Sequence, residues 1–140
     1  MKVLYTAEAT VGGEGRKGYG RTNDDRLNVE LSVPRGLGGD DGPGTNPEQL
    51  FAVGYAACFH GALKKVARES RVSVDGSTID SSVTLGSADD GLTLTVGLDI
   101  TIPAVEQAEA ERLVEAAHQV CPYSRATRGN IEVNLTVRAA

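Results

Sequence analysis

One almost wholly apolar run, Leu50-Phe51-Ala52-Val53-Gly54-Tyr55-Ala56-Ala57-Cys58-Phe59, dictates most of what this chain can fold into. Asn46-Pro47-Glu48-Gln49 precedes it and reads as a helix start. Asn46 caps, Pro47 suits the first helical position, and Glu48 places negative charge at the positive end of the helix dipole. Gln49 sits where a capping-box side chain reaches back. The expected helix runs to about Glu69. It is apolar nearly all round, so it has to be buried. One face carries Gly54, Ala57, Cys58 and Gly61, small residues that let another backbone approach closely. Each mid-helix glycine costs on the order of 0.5–1 kcal/mol against alanine, so close packing or a site is expected there. A chain of 140 residues does not readily cover such a helix alone, which points to a homodimer that buries it between subunits.

The rest of the chain is written mostly in strands. Val3, Tyr5, Ala7 and Ala9 alternate with more polar neighbours, and Leu27, Val29, Leu31 and Val33 do the same. A glycine-rich loop, Gly12 to Gly20, lies between them and carries Glu14, Arg16 and Lys17. Residues 34–45 are rich in Gly, Pro and Asp and read as a mobile loop that leads into the Asn46 cap. After the helix come Ile79 to Leu85, a hairpin turn at Asp89-Asp90-Gly91, and the longest alternation, Leu92 to Ile102. A second helix is expected over 104–120, with Ala110, Leu113, Val114, Ala117 and Val120 on one face. Pro122 stops it near Cys121, and Pro122 to Thr127 suits a short turn or helix. Ile131 to Val137 supplies the closing strand. The order ββ–α–ββ–α–β implies a single α+β domain over 1–140, a mainly antiparallel sheet packed on two helices.

Composition removes whole classes of function. The net charge of −5 argues against nucleic acid or an anionic membrane as the main partner. No stretch approaches the roughly 20 apolar residues of a membrane span. Met1-Lys2-Val3-Leu4-Tyr5 passes straight into alternation, so no signal peptide is expected, and the expected location is cytoplasmic.

Two cysteines, Cys58 and Cys121, then carry the chemistry. A lone buried cysteine commonly just fills space. Here a second thiol sits at a helix terminus beside a proline, and Arg16 and Glu48 lie in or beside glycine-rich loops. The thiolate is the reactive form of cysteine, and a nearby guanidinium favours it. A carboxylate paired to that arginine fixes its orientation through a bidentate contact. Zinc fits poorly: Cys58 and His60 point to opposite sides of a helix, and His118 with Cys121 makes only two ligands. His60 and His118 read as surface or packing histidines. Gly13-Glu14-Gly15-Arg16-Lys17-Gly18 matches G-x-G-x-x-G but does not open a helix, so no dinucleotide is implied.

The run Asn46-Pro47-Glu48-Gln49-Leu50-Phe51-Ala52-Val53-Gly54-Tyr55-Ala56-Ala57-Cys58-Phe59 resembles the first cysteine motif of the organic hydroperoxide resistance (Ohr) proteins. The segment Ala117-His118-Gln119-Val120-Cys121-Pro122-Tyr123-Ser124-Arg125-Ala126-Thr127-Arg128-Gly129-Asn130 resembles their second. Gln-Leu-Phe followed by Gly-Tyr points to the Ohr branch of the OsmC/Ohr superfamily. The resemblance implies an intertwined homodimer and a cofactor-free thiol peroxidase for alkyl and fatty-acid hydroperoxides. It makes Cys58 the peroxidatic thiolate and Cys121 the thiol that resolves its sulfenic acid as a disulfide. Arg16 would stabilise the thiolate and polarise the peroxide, and Glu48 would hold Arg16. The implied reductant is the dihydrolipoyl group of a lipoylated protein.

Helix geometry adds a constraint. Glu48 and Cys58 lie roughly 15 Å apart along a straight helix, so the Arg16–Glu48 pair beside a given Cys58 is expected to come largely from the partner subunit. Leu50, Phe51 and Val53 are expected to form an apolar pocket for the alkyl peroxide. Two rival readings stand beside this one: an OsmC-like peroxidase of broader preference, and a small-ligand or lipid-binding module with inert thiols. A redox sensor is a third, though no DNA-binding motif supports it.

Overall fold

A computed structural model describes residues 1–140. The chain forms two compact units, Met1–Leu50 and Phe51–Ala140.

The first unit is a three-stranded meander of β1 (Ala9–Gly12), β2 (Tyr19–Thr22) and β3 (Asn28–Glu30), all antiparallel. The glycine-rich segment between β1 and β2 is not a plain loop. It holds a short 3-10 turn, Gly15–Lys17, and then pairs as β2. Gly18 is required there by close approach, because a Cβ on it would lie 1.8 Å from the Gly12 carbonyl oxygen. The expected strand over residues 3–9 is the main correction. The ladder begins at Ala9, with the Glu8 carbonyl accepting the Asn23 backbone N–H just before it, and Val3, Leu4 and Tyr5 are exposed. Alternation makes a segment strand-competent, but a strand also needs a partner edge, and the register with β2 begins at Ala9. Leu31, past the end of β3, bridges to Thr45, and the 34–45 segment between them contains a second 3-10 turn, Arg35–Leu37.

The cap at Asn46 forms as expected: its Oδ1 accepts the Gln49 backbone N–H at 2.8 Å. The reciprocal half of a capping box does not. Gln49 Oε1 instead accepts the Thr45 hydroxyl at 2.7 Å, because Thr45 competes for the same side chain. The helix that follows, α1, spans Pro47–Ser70.

The second unit holds the core. Strands β4 (Thr78–Ala88) and β5 (Gly91–Thr101) form a long antiparallel hairpin. The helices α2 (Gln107–Val120) and α3 (Pro122–Thr127) return the chain so that β6 (Glu132–Arg138) joins β5 in parallel. The sheet order is β4-β5-β6, so β5 is central and its Val96, Leu98 and Ile100 are fully buried. They pack with Tyr55, Phe59 and Leu63 of α1 and with Leu113, Val114 and Ala117 of α2 in one apolar cluster. Val120, expected on that buried face, is 43% exposed, because α2 ends there. The fold class is α+β with mainly antiparallel sheets and three helices.

α1 is not covered all round. Val53 is 72% exposed, Ala57 and Gly61 are exposed as well, and nothing lies within 4 Å of where a Gly61 Cβ would be. These positions are one turn apart and form a single bare stripe.

Candidate active site

In the first unit, the 3-10 turn lifts Arg16 out of the meander and the Asn46 cap fixes the first turn of α1. The two features bring Arg16 and Glu48 together. Arg16 Nη2 donates to Glu48 Oε1 at 2.7 Å and Nη1 donates to Oε2 at 3.0 Å, a bidentate pair. The Arg16 hydrogen bonds hold the Glu48 carboxyl below its ordinary range, against the opposing effect of burial. Lys17 makes no ion pair, so the adjacent basic residues are distinguished by geometry.

In the second unit, Cys58 on α1 faces Cys121 at the junction of α2 and α3. Both thiols are free, and their Sγ atoms are 3.6 Å apart. Cys121 is fully buried and Cys58 half-buried. Burial pushes the Cys58 thiol above its ordinary range, and Cys121 adds to the rise, while the Tyr123 backbone amide pulls the other way.

A family model described as OsmC-like protein matches residues 38–136. This chain belongs to the OsmC-like family. Within it, the chain groups with the Ohr branch. It is 55% identical to the organic hydroperoxide resistance protein of Xanthomonas axonopodis pv. citri (strain 306), an alignment covering 97% of this chain and 96% of that one. It is 42% identical to the organic hydroperoxide resistance protein OhrB of Bacillus subtilis (strain 168), over 97% of this chain and 99% of that one. The crystal structure of an organic hydroperoxide resistance protein from Elizabethkingia anophelis superposes with a TM-score of 0.94, at 46% identity and full coverage of both chains. No helix of the chain is long and apolar enough to cross a membrane.

Three apolar residues were also expected at the site of this OsmC-like chain. Phe51 stacks into an aromatic trio, with ring centroids 5.8 Å from Tyr55 and 6.2 Å from Tyr123. Val53 lies about 140° round α1 from Cys58. It lines a separate cavity of about 420 Å³ with Ala52, Ala56, Ala57, His60, Ile79, Asp80 and Ser81, a lining that does not include Cys58. Leu50 is partly exposed in the first unit.

Sequence reasoning missed a chain of polar groups beside the thiols in this OsmC-like unit. His118 Nδ1 lies 2.8 Å from Ser124 Oγ, Ser124 Oγ lies 2.9 Å from Tyr55 Oη, and Tyr55 Oη lies 3.1 Å from Thr127 Oγ1. Thr127 in turn donates to the Tyr123 carbonyl at 3.0 Å. The one available signal was the pair of hydroxyls at Ser124 and Thr127, three apart in an otherwise short helix. It says nothing of Tyr55, which is 69 residues away from Ser124.

Proposed function

We propose that this chain is a thiol peroxidase that reduces organic hydroperoxides, alkyl and fatty-acid, to alcohols. The single observation that carries the reading is the 3.6 Å approach of the two free thiols, Cys58 and Cys121. The resistance to organic hydroperoxides that names its relatives supports the choice of substrate.

The Cys58 thiolate attacks one peroxide oxygen. The O–O bond breaks, a proton accompanies the departing alkoxide, and the products are the alcohol and a Cys58 sulfenic acid. The Cys121 sulfur then attacks the Cys58 sulfur. The S–O bond breaks, the S–S bond forms, and hydroxide leaves with the thiol proton as water. Disulfide geometry requires the sulfurs to close from 3.6 Å to about 2.05 Å, a shift well within side-chain motion. A dithiol, in this reading the dihydrolipoyl group of a lipoylated protein, restores both thiols and is itself oxidised.

Burial alone disfavours the Cys58 thiolate, so the reaction needs a cation. Arg16 supplies it and polarises the peroxide, and Glu48 holds its guanidinium in plane. The bare stripe of Val53, Ala57 and Gly61 supports a homodimer, in which the Arg16–Glu48 pair of one subunit serves Cys58 of the other. Leu50 and Phe51 are the apolar residues offered to the alkyl group, and Val53, which lines the separate cavity, is not among them.

Intact mass tests the function directly. One equivalent of cumene hydroperoxide added to reduced protein should remove the mass of two hydrogens, and Cys58→Ser should abolish the change. Equal speed with hydrogen peroxide would favour a broader peroxidase. No rapid mass change with either oxidant would leave an inert-thiol binding module.

A further inference from the structure

The polar chain beside the cysteines has a direction. A backbone carbonyl only accepts, and Thr127 Oγ1 faces two of them, Tyr123 at 3.0 Å and Ser124 at 3.2 Å, so its one proton goes to these carbonyls and its oxygen accepts the Tyr55 hydroxyl. Tyr55 Oη must then accept from Ser124, and Ser124 Oγ must accept from His118 Nδ1–H. This ordering gives each of the contacts among Thr127, Tyr55, Ser124 and His118 one proton. It places the neutral His118 ring in the Nδ1–H form, and charging the ring leaves that donor in place.

The chain also has a particular location. Cys121 is the hinge residue between α2 and α3, with ψ at 122°. Its own N–H closes α2 on the Ala117 carbonyl, and its carbonyl opens α3 by accepting from Arg125. His118 lies on the α2 side of this hinge and Ser124 on the α3 side, three residues away in each direction. The Ser124 hydroxyl therefore ties both flanks of the Cys121 turn to each other. Through Tyr55, one helical turn before Cys58, it also ties them to α1. Arg128 adds a donor to the His118 carbonyl from the far end of α3.

These hydroxyls sit where volume alone would not require them. Ser124 and Tyr55 are fully buried and Thr127 nearly so, inside an otherwise apolar cluster. A buried hydroxyl is costly unless it is hydrogen-bonded, and alanine or phenylalanine would fill the same space.

We propose that Ser124, with Tyr55 and His118, forms a positioning cluster that holds the Cys121 turn against Cys58, so that the Cys58 sulfenic acid closes to a disulfide before a second peroxide reaches it. The inference rests on the peroxidase reading above. The competing reaction is defined: a second hydroperoxide transfers one oxygen to the sulfenic acid, giving a sulfinic acid and another alcohol. The cluster touches no reacting atom. It acts through the placement of Cys121, and a displacement of the order of 1 Å costs such a step up to about a hundredfold.

The test is a partition measurement on the full-length reduced protein with excess cumene hydroperoxide, read by intact mass. Disulfide appears as the loss of two hydrogens and sulfinic acid as the gain of two oxygens. Ser124→Ala and Tyr55→Phe should each raise the sulfinic-to-disulfide ratio by about tenfold, the equivalent of one hydrogen bond's worth of positioning. Ser124→Thr, which keeps the hydroxyl, should stay near wild type. The double variant should be no worse than the worse single one, since the groups act as one chain. A thermal melt and the rate of Cys58 oxidation in a Cys121→Ser background separate misplacement from general damage. A wild-type ratio in both single variants would overturn the proposal. A ratio that rises only in step with lost melting temperature would do the same. A wild-type protein whose Cys58 is not oxidised at all would instead overturn the peroxidase reading, and this inference with it.

Discussion

The Arg16 guanidinium grips the Glu48 carboxylate with two parallel N–H···O bonds, at 2.7 and 3.0 Å, across 32 residues of sequence. Such a fork selects arginine. A lysine ammonium is a point donor and cannot present two parallel bonds to one carboxylate. The Glu48 side chain is 15% exposed and Arg16 42%, so water screens the pair from one side.

The pair should be visible in acid stability. Glu48 is held below its ordinary range, so its contribution is fully present above the unfolded carboxylate value of about 4.3 and disappears as pH falls through the lower folded value. Partial exposure limits it to roughly 0.5–1 kcal/mol. Denaturant titrations of wild type and Glu48→Gln should differ by about that amount at pH 7 and converge in acid. A constant offset at every pH would show that the charge of Glu48 contributes nothing.

Arg16→Gln should move the pH profile of Cys58 alkylation upward. Burial already pushes this thiol above its ordinary range, and in the proposed mechanism Arg16 is the cation that offsets it. With the cation gone, iodoacetamide should react only at higher pH, and the peroxide reaction should slow in parallel. Glu48→Gln should shift the profile in the same direction by less, because the charge remains but loses its fixed orientation. An unchanged profile in Arg16→Gln would remove Arg16 from the mechanism.

The sequence made some parts of this molecule readable because their determinants are local. Asn46-Pro47 marks the start of α1 to within one residue, and Pro122 marks the end of α2, each through a backbone rule that needs no tertiary partner. Strand β5 was clear because its alternation is long. The 3–7 segment does not form the strand that its alternation suggests, because pairing depends on an edge that the local pattern does not contain. Strand β2 was hidden among glycines, where Gly20 alternates with Tyr19 and Arg21 and leaves no hydrophobic period. The cysteines stood out by rarity and by their motifs. The Tyr55–Ser124–His118 chain was invisible because it joins helices whose docking only the fold reveals.

Gly18→Ala should damage the turn that presents Arg16. The added Cβ would meet the Gly12 carbonyl oxygen at 1.8 Å and the Glu14 nitrogen at 3.0 Å, both backbone atoms that cannot swing aside. Overpacking of this kind costs about 1–3 kcal/mol. Gly15→Ala is the instructive comparison: it meets open space and is strained only by φ of +60°, a penalty of about 1–2 kcal/mol. Both should lose stability in a denaturant melt. Gly18→Ala should in addition lose most of the effect that Glu48→Gln has on alkylation, since a displaced Arg16 no longer reaches its carboxylate. Retention of the full Glu48 effect in Gly18→Ala would show that the turn adapts.

Acid should also weaken the fold through its two histidines, at a pH above that at which Glu48 acts. Burial lowers both imidazoles. Lys64 adds to the effect on His60, and Arg128 adds to that on His118, which Glu115 partly opposes. Each ring accordingly stays neutral in the folded protein at a pH where the unfolded chain, near 6.5, has begun to take up protons. A folded value below the unfolded one means stability present above the unfolded value and lost as pH falls toward the folded one. His60 Nε2 shares a hydrogen bond with Ser77 at 2.9 Å, and His118 Nδ1 is bonded to Ser124, so both rings are held in place as they charge. Histidine-resolved NMR titration should find both midpoints below that of an unfolded peptide, with the proton of neutral His118 on Nδ1. A midpoint at or above the peptide value would mean that the ring is not buried as described. A proton on Nε2 would reverse the direction of the Ser124–Tyr55–Thr127 chain.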